Sequence, residues 1–212
     1  SIDANGFATS TRLGFTGGIS DPQLVLLEDG RSAIVFRNSA GVQLAIDQGN
    51  PVTIAAAATG VSYGARAIAA RAGGGSVVAY SQYSTSTGYQ VHARLQGVSG
   101  AAGPIVLAGN GTPPSVTGLA DGGFALTWAD NTGKLFLRTY SATGAPEGAA
   151  VQVAGSVNAS YATSVTELAD GGMVVTWHEG PTIKAQRFDA SGAAEGAALT
   201  VIPEGDGDHS VT

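Results

Sequence analysis

Four short stretches hold residue types and spacings from which chemistry could be built. Gly60-Val61-Ser62-Tyr63-Gly64 fits the G-x-S-x-G pattern of a hydrolase nucleophile elbow, and PVTIAAAA before it and ARAIAARA after it could supply the strand and helix that an elbow needs. Trp177-His178-Glu179-Gly180-Pro181 opens like the helix of a zinc protease but lacks the second histidine that H-E-x-x-H requires. EGDGDHS, from Glu204 to Ser210, clusters carboxylates and could offer oxygens to Ca²⁺ from Asp206 and Asp208. It has neither the spacing nor the bidentate glutamate of an EF-hand loop, so a solvated loop is the plainer reading. SQYSTSTGYQVH, from Ser81 to His92, brings Tyr83, Tyr89 and His92 close together in sequence.

Composition narrows what these stretches can mean. The chain has 212 residues, 43% of them hydrophobic and only 12% charged, which is enough apolar material for a sizeable core. The formal net charge is −6 and Lys and Arg form no cluster, which argues against nucleic-acid partners and anionic membranes. There are no cysteines, so disulfides, thiolate metal sites and cysteine catalysis are excluded. No apolar run approaches the ~18 to 20 residues that span a bilayer. A chain that starts at Ser1 without methionine reads as processed or excised from something longer.

The elements that would position these residues emerge from a repeat. PSVTGLADGGFALTW (Pro114 to Trp128) recurs as TSVTELADGGMVVTW (Thr163 to Trp177), and RTYSATGAPEGAAVQV (Arg138 to Val153) recurs as QRFDASGAAEGAALTV (Gln186 to Val201). Weaker copies lie upstream, so that the turn positions Asp29, Gly73, Asp121 and Asp170 stand 44, 48 and 49 residues apart. A period of ~40 to 50 residues is that of propeller blades. Each copy parses into four short strands separated by Gly-rich turns, with no helical period between them. The expected fold is all-β, a β-propeller-like repeat of four-stranded antiparallel blades, with four recognisable repeats plus a partial or split one; a row of sandwiches or a solenoid is the competing arrangement.

The repeats are expected at residues 20–63, 64–112, 113–160 and 161–203 of a single 1–212 domain. Residues 1–19 would form a partial blade or N-terminal closing strands, and HSVT within residues 204–212 would start a further blade. In this register ARAIAARAGGG is a first strand rather than a helix, and GVSYG falls in the connection between blades. Ser62 then loses the strand-turn-helix context that a nucleophile elbow needs.

Asp29, Asp121 and Asp170 are expected to cap their own tight turns. They resemble the Asp box of sialidase propellers only superficially, because Trp128 and Trp177 follow their Asp by seven residues where that box has five. Phe36, Tyr80, Trp128 and Trp177 share one repeat position and read as core between blades rather than a sugar platform. The longer second hairpin of one repeat is where a binding function would sit on such a scaffold, which makes Tyr83, Tyr89 and His92 the candidate ligand residues; a merely tolerated insertion is the alternative.

The pattern L-x-D-G-G-x-x-V-T-W followed by A-Q-R-F-D-A-S-G-A-A-x-G resembles repeats of very large secreted bacterial, RTX-adhesin-like proteins, best over Ser164 to Val201 and then over Ser115 to Val153. The resemblance implies an extracellular or cell-surface bacterial module for adhesion, carbohydrate contact or architecture. The nonapeptide calcium motif of such proteins is absent, so calcium dependence does not follow. The expected function is non-enzymatic adhesion or carbohydrate binding without a required cofactor, with a glycan or cell-surface component as partner. A self-associating structural block is the second reading and a glycan-active hydrolase the third.

Overall fold

Tight turns and short alternating strands make every regular element among the described residues β. The computed structural model describes residues 18–47, 49–157 and 163–202, and among them sixteen strands form four sheets of four. The first sheet is β1 (Ser20–Leu26), β2 (Ser32–Asn38), β3 (Gly41–Ile46) and β4 (Val52–Ala56). The second is β5 (Val61–Ala70), β6 (Ser76–Ser84), β7 (Gly88–Gln96) and β8 (Ala102–Asn110). The third is β9 (Pro114–Gly118), β10 (Phe124–Ala129), β11 (Leu135–Tyr140) and β12 (Val151–Ala154), and the fourth is β13 (Ser164–Glu167), β14 (Met173–Glu179), β15 (Thr182–Phe188) and β16 (Ala194–Ile202). Every sheet is an antiparallel meander in sequence order, and the first strands adjoin one another, β1 with β5, β5 with β9 and β9 with β13. This is the blade arrangement of a propeller. Of the partial segments expected at the two ends, all but residues 18 and 19 lie outside the described residues.

The turns explain why the strands stop where they do. Gly30, Gly122 and Gly171 adopt φ of 82°, 86° and 83°, a region that side chains with a Cβ avoid. The preceding carboxylates close these turns: Asp121 Oδ1 accepts from Gly123 N at 2.7 Å, Asp170 Oδ1 from Gly172 N at 3.1 Å, and Asp29 Oδ1 from Arg31 N at 3.1 Å. The second sheet has no aspartate here and uses Gly73, Gly74 and Gly75 at φ of 80°, 94° and 82°.

ARAIAARA is a strand despite its helical local propensity. Pairing with β6 gives it a period of two, with Ile68 beside Val78 on one face and Ala69 beside Val77 on the other, and tertiary packing on both faces overrides propensity. β5 starts at Val61, so Ser62 lies within a strand and not in the connection between blades.

Three apolar clusters lie between successive sheets. Val35, Val42, Leu44 and Ile54 of the first sheet meet Tyr63, Val78 and Tyr80 of the second. Val77, Ala79, Val91 and Leu95 on the opposite face of the second meet Phe124, Leu126 and Trp128 of the third. Leu135 and Leu137 of the third meet Met173, Val175, Trp177 and Phe188 of the fourth. Tyr80, Trp128 and Trp177 each face the preceding blade and are at most 3% exposed. The fit is tight: a Cβ on Gly109 would stand 2.7 Å from Trp128 Nε1. Phe36, at the same repeat position in β2, is fully buried on the outer face of the first sheet.

Candidate functional site

A meander that begins every blade in the same direction has two ends. The β1–β2 and β3–β4 turns and their counterparts lie at one, here called the turn end. The β2–β3 turns and the connections between blades lie at the other, the linker end. The candidate site residues gather at the linker end.

The longest feature there is the β6–β7 hairpin. Its ladder runs without a break from Ser76↔Gln96 to Ser84↔Gly88, so the extra residues of SQYSTSTGYQVH lengthen two paired strands instead of forming a loose loop. Tyr83 and Tyr89 are directly cross-strand, their ring centroids 4.9 Å apart and tilted by 51°. They are 37% and 44% exposed, in a protein whose other described aromatic rings are mostly buried. Odd numbering puts both on the face that carries Val77, Ala79 and Val91, toward the third sheet. Nearby, Tyr89 O accepts from Gly111 N at 2.9 Å, which ties the hairpin to the connection into the third sheet.

His92 does not join them, which corrects the expected trio. His92 is three positions along from Tyr89, an odd step, so the imidazole is on the opposite face of the sheet, toward the first blade. It is stacked on Tyr80 at 5.5 Å and 16°, and Tyr80 in turn meets Tyr63 edge-on at 5.9 Å. Burial pushes the His92 pKa down and the Tyr80 pKa up to about 12, so both are neutral at physiological pH. His92 Nε2 is buried without a protein partner among the described residues.

A second linker-end feature is a cleft of about 540 Å³ between the first two sheets, lined by Gly18, Ile19, Ser20, Arg37, Asn38, Gly41, Ala57, Val61, Ser62 and Tyr63. Arg37 is held by two bonds, Nη1 to Tyr63 O at 2.7 Å and Nε to Ser20 Oγ at 3.2 Å. Tyr63 is fixed by its hydroxyl, which donates to Ala56 O at 2.7 Å. Asn38 Oδ1 accepts from Ala40 N at 2.9 Å, which orients its amide with Nδ2 as the remaining donor. Sequence reasoning noticed Ser62 for a reason the structure does not support and missed Arg37 and Asn38 altogether. Neither belongs to a motif, and only the approach of β5 to the end of β2 gives them a shared cleft.

The turn end is built differently, from links that cross between blades. Arg31 Nη2 reaches Val98 O at 2.5 Å, Arg71 Nη2 reaches Gly122 O at 2.7 Å and Ala142 O at 2.5 Å, and Ala120 N donates to Glu167 Oε1 and Oε2 at 2.9 and 3.0 Å. Asp29 pairs with Arg31 at 2.7 Å, and Asp170 pairs with Arg187. These partners hold both carboxyl groups below the usual carboxylate range. Asp206 and Asp208 lie outside the described residues, and no group of three or more metal-ligating side chains occurs among the described ones.

No protein-family model matches the chain, and no curated protein matches it. Its fold is similar to solved lectins. One is a lectin from Aleuria aurantia in complex with Fucα1-6GlcNAc, with a TM-score of 0.57, 12% identity, 86% of this chain and 62% of that chain covered. The mercury-derivative form of the fucose-specific lectin from Aleuria aurantia gives 0.53 and 12%, covering 82% and 57%. The SapL1 lectin in complex with α-methyl fucoside gives 0.50 and 14%, covering 86% and 66%. The chain therefore spans less than two thirds of the length of each of these lectins. At such identities the likeness is one of fold. It also corrects the resemblance to RTX-adhesin-like repeats: the Gly/Asp turns that carried that resemblance belong to a propeller whose structural relatives are fucose-binding lectins.

Proposed function

We propose that the protein is a non-enzymatic carbohydrate-binding module that acts outside the cell and holds glycans at its linker end. The observation that carries this reading is the Tyr83–Tyr89 pair: two adjacent rings left more than a third exposed at the tip of a rigid, lengthened hairpin. Burial of aromatic faces is the default, and an exposed pair on a paired-strand platform offers apolar faces with hydroxyl edges to a partner that is itself part apolar and part polar. A sugar ring fits that description. The lectin-like fold supports the reading, and the rigid base of the hairpin means that little order need be gained on binding. Hydrolysis has no support in the site, since Ser62 has neither a helix behind it nor a histidine beside it on its face of the sheet.

The test is a glycan-array screen followed by titration of the best binder. Saturable binding without product release, weakened at least tenfold by Tyr83→Ala combined with Tyr89→Ala at unchanged melting temperature, supports the proposal. Product release, or binding indifferent to both tyrosines, refutes it.

A second reading, a self-associating block, is favoured by one observation. Leu24 and Leu26 on the outer face of the first sheet are each 66% exposed and Leu199 on the outer face of the fourth is 69% exposed. Sedimentation across a concentration series distinguishes it: mass that rises with concentration favours a block, and a constant monomer mass excludes it.

A further inference from the structure

We propose that the cleft between the first two blades selects acidic saccharides and receives a sugar carboxylate on Arg37. The inference rests on the reading of the linker end as a glycan-binding surface and specifies the ligand class of one part of it.

The hydrogen-bonding character of the cleft is one-sided. Among the described residues that line it Arg37 is the sole charged side chain, and its guanidinium plane is fixed through Nε and Nη1, which leaves Nη2 as the donor without a partner among them. Asn38 also lines the cleft and has committed its oxygen to Ala40 N. Among the described residues, no carboxylate lines the cleft to accept from the hydroxyls of a neutral sugar. Donors without a charged acceptor suit a ligand that brings its own anion, and guanidinium–carboxylate bonds are among the stronger ones available.

The charge behind the cleft wall points the same way. Arg66, whose side chain is 1% exposed, bonds to Ser20 O at 3.2 Å and to Gly64 O at 2.6 Å, close enough to Arg37 for the two charges to repel each other. Its one carboxylate partner is Asp21 at 3.1 Å, which is 77% exposed, and its Nε has no partner among the described residues. Arg37 makes no salt bridge among the described residues. Among the described residues the two guanidinium groups have one water-screened carboxylate between them, paired with Arg66, and this local excess of positive charge occurs in a chain whose net charge is −6. A ligand carboxylate in the cleft would balance it.

The test compares methyl β-glucuronide with methyl β-glucoside, which differ in a carboxylate at C6, by calorimetric titration of the whole chain. The expected result is at least tenfold tighter binding of the glucuronide in low salt, a preference that shrinks in about 0.5 M salt and disappears in Arg37→Gln. Should Arg37→Gln unfold through loss of its bonds to Ser20 and Tyr63, the salt series on the unaltered chain gives the readout, and the preference should fall as salt rises. Equal affinity for the two sugars, or a preference that survives Arg37→Gln or is indifferent to salt, overturns the inference while leaving glycan binding intact. Binding of neither these nor any arrayed glycan removes the underlying reading, and the inference with it.

Discussion

The two ends of the stack are made from the same repeat and do different things. At the turn end each blade closes on an Asp-Gly or Gly-Gly turn, and arginine or glutamate side chains cross to backbone groups of a neighbouring blade. At the linker end the β6–β7 hairpin projects with its tyrosines exposed and a cleft opens between the first two blades. The lesson is that repetition and departure from it are separate signals. Where the repeat is kept, residues hold blades together, and where it is broken, by a longer hairpin or an arginine without a carboxylate, surface is left for a partner.

Substitutions should separate the two ends, and the largest effect belongs to the packing that both depend on. Trp128→Ala should lower stability by about 3–5 kcal/mol, read by urea denaturation, and should weaken glycan binding only through unfolding. Next is the turn end itself. Arg71→Met removes the bonds to Gly122 O and Ala142 O and should cost about 1–2 kcal/mol, the range for charge-assisted bonds at a half-exposed site. Glycan affinity should be unchanged; a loss of affinity without unfolding would mean the two ends are coupled. At the linker end the signs reverse. Tyr83→Ala should leave stability within about 0.5 kcal/mol yet weaken binding about tenfold, or ~1.4 kcal/mol.

Acid should act on stability in two smaller steps. His92 has a folded pKa below its unfolded value near 6.5, so the unfolded chain takes up the proton first and stability begins to fall below about pH 6.5. His92→Gln should remove that step. Asp29 and Asp170 have folded pKa values below the unfolded ~3.9, so their contribution is present above that value and is lost as pH falls through the folded values. Asp170→Asn should flatten this second step, measured by thermal melts across pH.

The blade pattern was legible in the sequence because strand alternation and Asp-Gly-Gly turns are local and periodic. FALTW and MVVTW place Trp128 and Trp177 on inward faces by counting alone, and the same counting put ARAIAARA in a strand against its propensity. The counting was not carried across the hairpin, and this is why His92 stood beside Tyr83 and Tyr89 in the sequence reading although an odd step separates it from them. Arg37, Asn38 and Arg66 were illegible for another reason. Arg37 bonds to Tyr63 O and Ser20 Oγ, 26 and 17 residues away, Arg66 pairs with Asp21, 45 residues away, and Asn38 bonds within its own turn, so no local motif marks any of them. The resemblance to adhesin repeats failed on the same ground as it succeeded in indicating β-structure: Gly/Asp turns report a tight hairpin and say little about ancestry.

Hydrogen–deuterium exchange with and without a saturating glycan tests the division between the ends most directly. The predicted result is new protection at residues 57–63 or 83–89, with residues 119–123 and 168–172 unchanged. Protection confined to the Asp-Gly-Gly turns, with the linker end untouched, would contradict it.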